Sequence, residues 1–204
     1  VELWYCRRYP KLAAAQGVTA EVREKYKAYL EWAENIQKKP PYYWTSHPIL
    51  KLIAQGEGEH LEFKETLEAD AATGVAHAGV LLSALKTIAA YLNTNGGTLL
   101  IGVADNLEIR GLEKDYRLAG RNQNADGLEQ KIRSLLNSRF TPAQLGLVQI
   151  HFHHLPEGTV CEVQVQKSNQ VIHLDGNIYV RDGNGSRKLE GVALTQWLTQ
   201  RARG

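Results

Sequence analysis

The feature that most constrains the fold is an apolar helix pattern that leads through a double glycine into an apolar strand. Residues 76–92 carry apolar side chains at too many positions for a helix covered on one side only. Gly96 and Gly97 end this helix, and residues 98–103 form a continuous apolar run, typical of a strand buried on both faces. A covered helix beside a central strand predicts an α/β (α+β) domain with a mixed, twisted sheet.

Other elements are predicted on both sides of this centre. A short helix at 47–55 and a strand at 60–65 precede it, and the small polar residues at 65–74 predict a surface loop. The elements predicted after it are an extended piece at 109–112, an amphipathic helix at 123–138, a hairpin with its loop at 155–158, strands at 171–174 and 177–181, a loop at 182–186 and a helix at 189–201.

The register of the hairpin follows from its side chains. With the loop at 155–158, apolar residues meet apolar residues on one face, and polar residues meet on the other. The predicted pairs are Phe152 with Cys161, Ile150 with Val163, Val148 with Val165, His151 with Glu162, and Gln149 with Gln164. The dipeptide Asp175-Gly176 predicts a second hairpin turn, between the strands at 171–174 and 177–181.

The first 46 residues read as a helical extension followed by a linker. Thr19 is a good N-cap for a helix that ends near Lys38, since Pro40 and Pro41 prevent its continuation. We therefore place the domain at residues 47–204. The sequence contains no methionine, and we expect it to be a piece of a longer protein with further domains.

Composition limits the class of protein. The net charge of +2 over 204 residues permits nucleic-acid binding but does not argue for it. No apolar run reaches the roughly 18 residues of a membrane span, so we expect no membrane partner. Cys6 and Cys161 have neither disulfide-framework nor zinc-site spacing, which predicts a reducing, cytoplasmic environment.

Three acidic residues form the candidate site. Glu57 and Glu62 converge only if the chain bends between them, which Gly58 allows, and Asp105 follows the central strand. Three carboxylates at this place would bind Mg²⁺ or Mn²⁺, an ion that can activate water and neutralise a phosphodiester. Lys64 shares a strand face with Glu62 and would contact phosphate or pair with that carboxylate. Solvated acids at bends are the plain alternative.

Other patterns carry less chemistry. The glycines at 96, 97 and 102 precede a strand rather than open a helix, so they do not form a phosphate loop and no ATP is expected. The hairpin separates His154 from His151 and His153, which favours a solvated strand face over a metal site. The late basic residues would form a phosphate-binding patch or remain ordinary surface charges; they are Arg181, Arg187, Lys188, Arg201 and Arg203.

Taken together, these motifs resemble the Schlafen AlbA-type domain. The resemblance rests on the segment from Glu57 to Lys64, the helix end at 88–97, the strand leading to Asp105, and the Tyr-x-Arg-x-Gly-x-Ser-like segment at 178–186. It covers about residues 47–200. It implies an α/β domain that binds nucleic acid, with some members being metal-dependent endoribonucleases that act on transfer or ribosomal RNA.

The resemblance also implies residue roles and an assembly. Glu57, Glu62 and Asp105 match the catalytic acids of those nucleases, although Ala104 stands where members often have a further acid. Because the nucleases line a groove with two such lobes, we expect a homodimer or a larger assembly. Three hypotheses follow: a metal-dependent endoribonuclease, a non-catalytic module binding RNA or DNA within a regulatory or defence protein, and a structural interaction domain.

Overall fold

The computed structural model describes residues 46–202 together with Asn35, Lys39 and Tyr43. The predicted helix at 19–38 and the proline linker therefore fall almost wholly outside the described residues. The helices are α1 (Pro48–Ile53), α2 (Ala78–Asn93), α3 (Glu113–Arg117), α4 (Ala125–Asn137), α5 (Pro142–Leu145) and α6 (Gly191–Arg201). The strands are β1 (Leu61–Lys64), β2 (Gly97–Ile101), β3 (Val148–Leu155), β4 (Gly158–Val165), β5 (Tyr179–Asp182) and β6 (Gly185–Lys188).

Four strands form one mixed sheet in the order β1-β2-β4-β3, and β5 pairs with β6 in a separate sheet. β1 and β2 are parallel and are joined through α2, whereas β4 is antiparallel to both β2 and β3. The predicted α+β class and the mixed sheet are confirmed. The β3–β4 register also matches its prediction at all five residue pairs, because only that register places apolar side chains together on one face.

Apolar side chains cover both faces of the sheet. Leu99, Ile101 and Val163 face the larger core beneath α2 and α4, while Leu100 and Phe63 face a smaller core beneath α1. β2 is therefore buried on both faces, as its unbroken apolar run predicts. Within residues 46–202, no helix is both long enough and apolar enough to cross a membrane.

The junction between α2 and β2 depends on its two glycines. Gly96 adopts a φ of 73°, a left-handed conformation that ends the helix, and its N–H donates to the Tyr91 carbonyl at 3.1 Å. A Cβ on Gly97 would lie 2.3 Å from the Tyr91 ring. The glycines thus let β2 begin directly against α2, as the sequence indicates.

The predicted hairpin around Asp175-Gly176 is wrong. The turn forms, with φ of 50° and 77° at the two residues, but it is closed only by an isolated bridge between Leu174 and Asn177. The preceding residues cannot extend the pairing, because the amide of Asn93 binds both the N–H and the carbonyl of Ile172 at 2.8 and 2.9 Å. The hairpin in this part of the chain is formed by β5 and β6. The predicted loop at 182–186 therefore contains the turn of that hairpin and the start of β6.

The predicted surface loop at 65–74 is partly buried. Leu67 and Ala69 lie in the interior. Their backbone N–H groups and that of Glu68 all donate to the buried carboxylate of Asp115, at 2.8 to 3.1 Å. One acid on α3 thus supplies the acceptors that let this polar backbone lie against the core.

Candidate acidic site

The segment before β1 folds back along the free edge of that strand. Gly58 exchanges hydrogen bonds with Leu61, at 2.8 and 3.4 Å, and the Glu57 carboxylate accepts the N–H of Phe63 at 2.8 Å. The ammonium of Lys64 donates to the Phe63 carbonyl at 3.0 Å. The expected bend is present, although the left-handed residue is Gly56, with a φ of 73°, rather than Gly58. Glu57 therefore serves as a backbone cap for an edge strand.

Glu62 is a buried carboxylate held by two cations. One of its oxygens accepts from the Lys64 ammonium at 2.5 Å, and the other accepts from the Arg181 guanidinium at 2.9 Å. The side chain is only 11% exposed. Charge-assisted hydrogen bonds to both oxygens offset the cost of burying the carboxylate.

Arg181 lies inside the molecule, which corrects its expected place in a surface phosphate patch. Its side chain is 1% exposed, and besides Glu62 it donates to the carbonyls of Gly58 and Glu59, at 2.8 and 3.2 Å. Its guanidinium also stacks on the Tyr91 ring, 4.9 Å from the centroid. The rigid, planar fork of arginine suits this several-sided contact. The residue ties β5 to the turn before β1.

The charges of Glu62 and Asp105 act on Glu57. Burial, reinforced by the charges of Glu62 and Asp105, raises the pKa of Glu57 from 4.5 to about 7, although the Phe63 N–H and Lys64 act in the opposite direction. Asp105 is exposed in the turn that follows β2. The fold therefore gathers Glu57, Glu62, Asp105 and Lys64 near one end of the β1–β2 pair.

This gathering stops short of a metal-binding arrangement. Across the described part of the chain, no group of three histidine, cysteine, aspartate or glutamate side chains is close enough to hold one ion. In addition, both oxygens of Glu62 are already bound to Lys64 and Arg181. Glu57 in turn is directed along β1 by its bond to Phe63.

Two of the predicted basic residues do lie at the surface. Arg187 pairs with Asp182 at 2.8 Å and Lys188 with Glu190 at 2.5 Å, and all four side chains are 44–69% exposed. Exposed pairs of this kind contribute little to stability and exchange readily. The β5–β6 hairpin thus presents two cations that a phosphate could recruit.

The histidines on β3 contact the sheet rather than solvent alone. Glu162 is buried and accepts from Gln164 at 2.9 Å, and His153 contacts its other oxygen at 2.7 Å. The His153 ring meets His47 edge to face, with centroids 5.5 Å apart. His151 pairs across from Glu162 in the register but makes no such bond to any residue that the structure describes. The predicted solvated face is therefore partly closed by an internal polar cluster.

Two residues of the site carried no signal as site residues in the sequence. Tyr91 lies beneath Arg181 and donates to the Thr98 carbonyl at 3.2 Å, and Asn93 holds the segment that leads into β5. Both lie at the end of a helix that otherwise reads as apolar. A tyrosine and an asparagine in so covered a helix, just before a double glycine, are the clue that could have found them.

This chain is similar to a solved structure and to a protein family. A crystal structure of the DIP2311 protein from Corynebacterium diphtheriae is similar, with 19% identity and a TM-score of 0.48, over 72% of this chain and 24% of that one. This chain thus spans about a quarter of the length of that protein. No curated protein shows a significant match. The model of the family described as Schlafen, AlbA_2 matches residues 57–190, and the chain therefore belongs to this family.

Proposed function

We propose that this chain is a nucleic-acid-binding module that cleaves structured RNA, of the transfer or ribosomal class, with the help of Mg²⁺ or Mn²⁺. The observation that carries the proposal is the position of Glu57, Glu62 and Asp105 around the β1–β2 pair, with Glu57 on the Phe63 N–H, Glu62 on β1 and Asp105 in the turn after β2. Like charges gathered at a sheet end are unfavourable unless a cation or a proton compensates them. Family membership, which relates the chain to nucleic acid, supports the nucleic-acid-binding part of the proposal.

The cation is the demanding part of this proposal. Carboxylate oxygens are the right donors for a hard divalent ion, and Glu57, Glu62 and Asp105 would supply them. In the described arrangement they do not fit a three-carboxylate centre, because both oxygens of Glu62 are bound to basic side chains. Activity thus requires Glu62 to release Lys64 or Arg181.

Residues around the acids provide contacts for a phosphate backbone. Lys64 is 22% exposed and lies beside Glu62, so it can turn towards a phosphate if that ion pair opens. Arg187 and Lys188 offer exposed cations on the neighbouring hairpin. These three side chains would position RNA through its phosphates without reading its bases.

RNA cleavage by the purified chain tests the proposal. Asp105→Asn is the most informative change, because this exposed side chain has no hydrogen bond within the described residues and its loss should leave folding intact. We expect cleavage in Mn²⁺ or Mg²⁺ to fall by about 100-fold or more, since ion-assisted stabilisation is worth several kcal/mol. Glu59→Gln, an exposed acid outside the cluster, is the matched control and should cleave normally. Full cleavage by the Asp105 variant, or cleavage undiminished by EDTA, would refute the nuclease.

A non-catalytic module that binds RNA or DNA is the second candidate. The saturation of Glu62 by Lys64 and Arg181 favours it, because a carboxylate used as a structural counter-ion is not available to an ion. Fluorescence anisotropy with labelled RNA and DNA distinguishes the two. This candidate predicts salt-sensitive binding and no product in any divalent ion. Cleavage that depends on Asp105 would exclude it.

A further inference from the structure

Strand β3 is an open edge of the four-stranded sheet. The N–H of Gln166 donates to the Leu147 carbonyl at 2.9 Å, which fixes the hydrogen-bonding pattern of the β3–β4 pair. On β3, the backbone groups of the odd-numbered residues bond to β4, and those of the even-numbered residues point away from it. Among residues 46–202, nothing bonds to these outward backbone groups. They belong to Val148, Ile150, Phe152 and His154.

The opposite edge of the same sheet is protected. On β1, Gly58 satisfies both backbone groups of Leu61, while Glu57 and Lys64 satisfy those of Phe63. Proteins usually protect an exposed edge with lysine, proline, a bulge or a covering segment. β3 has eight residues in unbroken register, and its sequence contains neither lysine nor proline. Within the described residues, the outward backbone groups of β3 are therefore available to pair with another strand.

A cavity of about 220 Å³ lies beside this edge. Leu136 of α4, Leu145 of α5, Val148 and Ile150 supply its apolar lining, and Arg133 and Asn137 complete it. Phe152 is on the same face of β3 as Val148 and Ile150 and is only half-buried. One edge thus presents an apolar cavity and, next to it, an incompletely covered aromatic ring.

We propose that β3 pairs antiparallel with β3 of a second copy about a twofold axis at His151. In this register Ile150 lies opposite Phe152 of the other copy, so each half-exposed ring meets the apolar cavity of its neighbour. The outward N–H and carbonyl groups of Ile150 and Phe152 then bond across the seam. A second copy fits better than an unrelated peptide, because the chain itself supplies both the ring and the cavity, as a twofold interface requires.

This pairing is independent of the proposed ribonuclease, since no acid of the candidate site lies on β3. It joins two four-stranded sheets into one continuous sheet and leaves both β1 edges, with their acids, at its far ends. Failure of the RNA-cleavage experiment would therefore leave the dimer unaffected.

Cysteine cross-linking tests the register directly. At a twofold axis, residue 151 meets its own copy as a non-hydrogen-bonded pair with Cα atoms about 4.5 Å apart, within the about 4.4–6.8 Å that a disulfide spans. In a Cys6→Ser background, with Cys161 buried, His151→Cys should oxidise to a covalent dimer. Gln149→Cys, exposed on the same face, is the matched control; its two copies would be roughly 13 Å apart and should not cross-link.

Light scattering on the full chain tests the assembly itself. The wild type should have twice the 22.8 kDa mass of one chain. Phe152→Pro removes an outward N–H and the ring but no bond to β4, so it should give a monomer that still unfolds cooperatively. A wild type that stays at the mass of one chain at every concentration, or equal cross-linking at 149 and 151, would overturn the proposal. If the proline variant fails to fold, the cysteine pair still decides.

Discussion

At the scale of single residues, the surroundings of Glu57 keep it from ionising at its usual pH. To accept the N–H of Phe63, the Glu57 side chain needs only an oxygen atom. Its negative charge, in contrast, lies near those of Glu62 and Asp105. The neutral carboxyl suits this position in the absence of a bound cation. Glu62 has the opposite surroundings, because Lys64 and Arg181 compensate its charge.

The raised pKa of Glu57 predicts a pH-dependent stability. Its folded-state pKa of about 7 lies above the ordinary 4.5, so the folded protein binds more protons between these values. The contribution of Glu57 to the free energy of unfolding is fully present below pH 4.5 and is lost as the pH rises to about 7. Glu57→Gln keeps the acceptor for Phe63 and removes the charge. We expect it to raise the free energy of unfolding at pH 8 by on the order of 1–3 kcal/mol, with little effect near pH 4.5.

Urea denaturation of wild type and variant at several pH values measures this difference. Glu59→Gln, which removes an exposed acid nearby, should show no comparable pH dependence. A stability difference between wild type and Glu57→Gln that is the same at pH 4.5 and pH 8 would contradict the prediction.

Removing Arg181 should be severely destabilising. Arg181→Met leaves the Glu62 carboxylate with one cation and two carbonyls without their donor, and such losses typically cost about 3–5 kcal/mol. Arg187→Met, the same change at an exposed pair on the next strand, should cost less than about 1 kcal/mol. In a double-mutant cycle measured by urea denaturation, Glu62→Gln should recover part of the Arg181→Met loss. Strictly additive effects would show that the two side chains are not coupled.

At the scale of elements, the α2–β2 junction links the glycines to the acidic site. Gly97 makes room for the Tyr91 ring, and that ring supports Arg181, which holds Glu62. The glycine therefore acts on the site through two packed side chains. The requirement for a left-handed backbone conformation is separate and applies to Gly96.

Gly97→Ala is predicted to disturb this chain of contacts. Its Cβ would lie 2.3 Å from the Tyr91 ring, so the ring or the strand must shift, at a cost of about 1–3 kcal/mol. Gly146→Ala is the control, since its Cβ would make only ordinary contacts, the nearest at 3.5 Å. Thermal unfolding of both variants measures the difference. Equal stability would mean that Tyr91 can move without loss.

Local patterns predicted the elements that pack by their own side chains. α4 and the β3–β4 hairpin follow their apolar periodicity, and the register needed no distant residue. The hairpin at β5–β6 could not be located in this way, because Asn93 on α2, some 80 residues earlier, takes up the backbone of Ile172. The segment at 65–74 was wrongly predicted as a surface loop for the same reason, since the acceptors of its backbone N–H groups belong to the distant Asp115.

At the scale of the whole molecule, charge is nearly balanced. A net charge of +2 leaves no general field to attract nucleic acid, so binding must depend on local cations. Burial removes Arg181 from that set, and the Arg201 guanidinium is bound to the backbone carbonyls of Asn93, Ser168 and Gln170. Arg203 lies outside the described residues, so the predicted cations that remain are Lys64, Arg187 and Lys188. Two of these lie on the β5–β6 hairpin, next to the residue that holds Glu62.

The salt dependence of RNA binding should report these contacts. Each phosphate contact contributes a slope of about 0.7–0.9 to the dependence of log K on log salt, so Arg187→Ala with Lys188→Ala should reduce the slope by roughly 1.5. Lys51→Ala, an exposed lysine on α1 across the sheet, is the control and should leave the slope unchanged. Fluorescence anisotropy across a salt series provides the measurement, and an unaltered slope in the double variant would place the RNA elsewhere.

The sequence by itself determined the α+β class, the central buried strand and the hairpin register, because each depends on local periodicity. It also proposed the three acids, from a motif read in order. The tertiary structure decided what those acids touch. Contacts between Glu62 and Arg181 join residues 119 positions apart, and no spacing rule anticipates which of several basic residues will be drawn inside. Because Arg181 is buried, it is the counter-ion of Glu62 and not the phosphate ligand that the sequence predicted. Only long-range packing determines that burial.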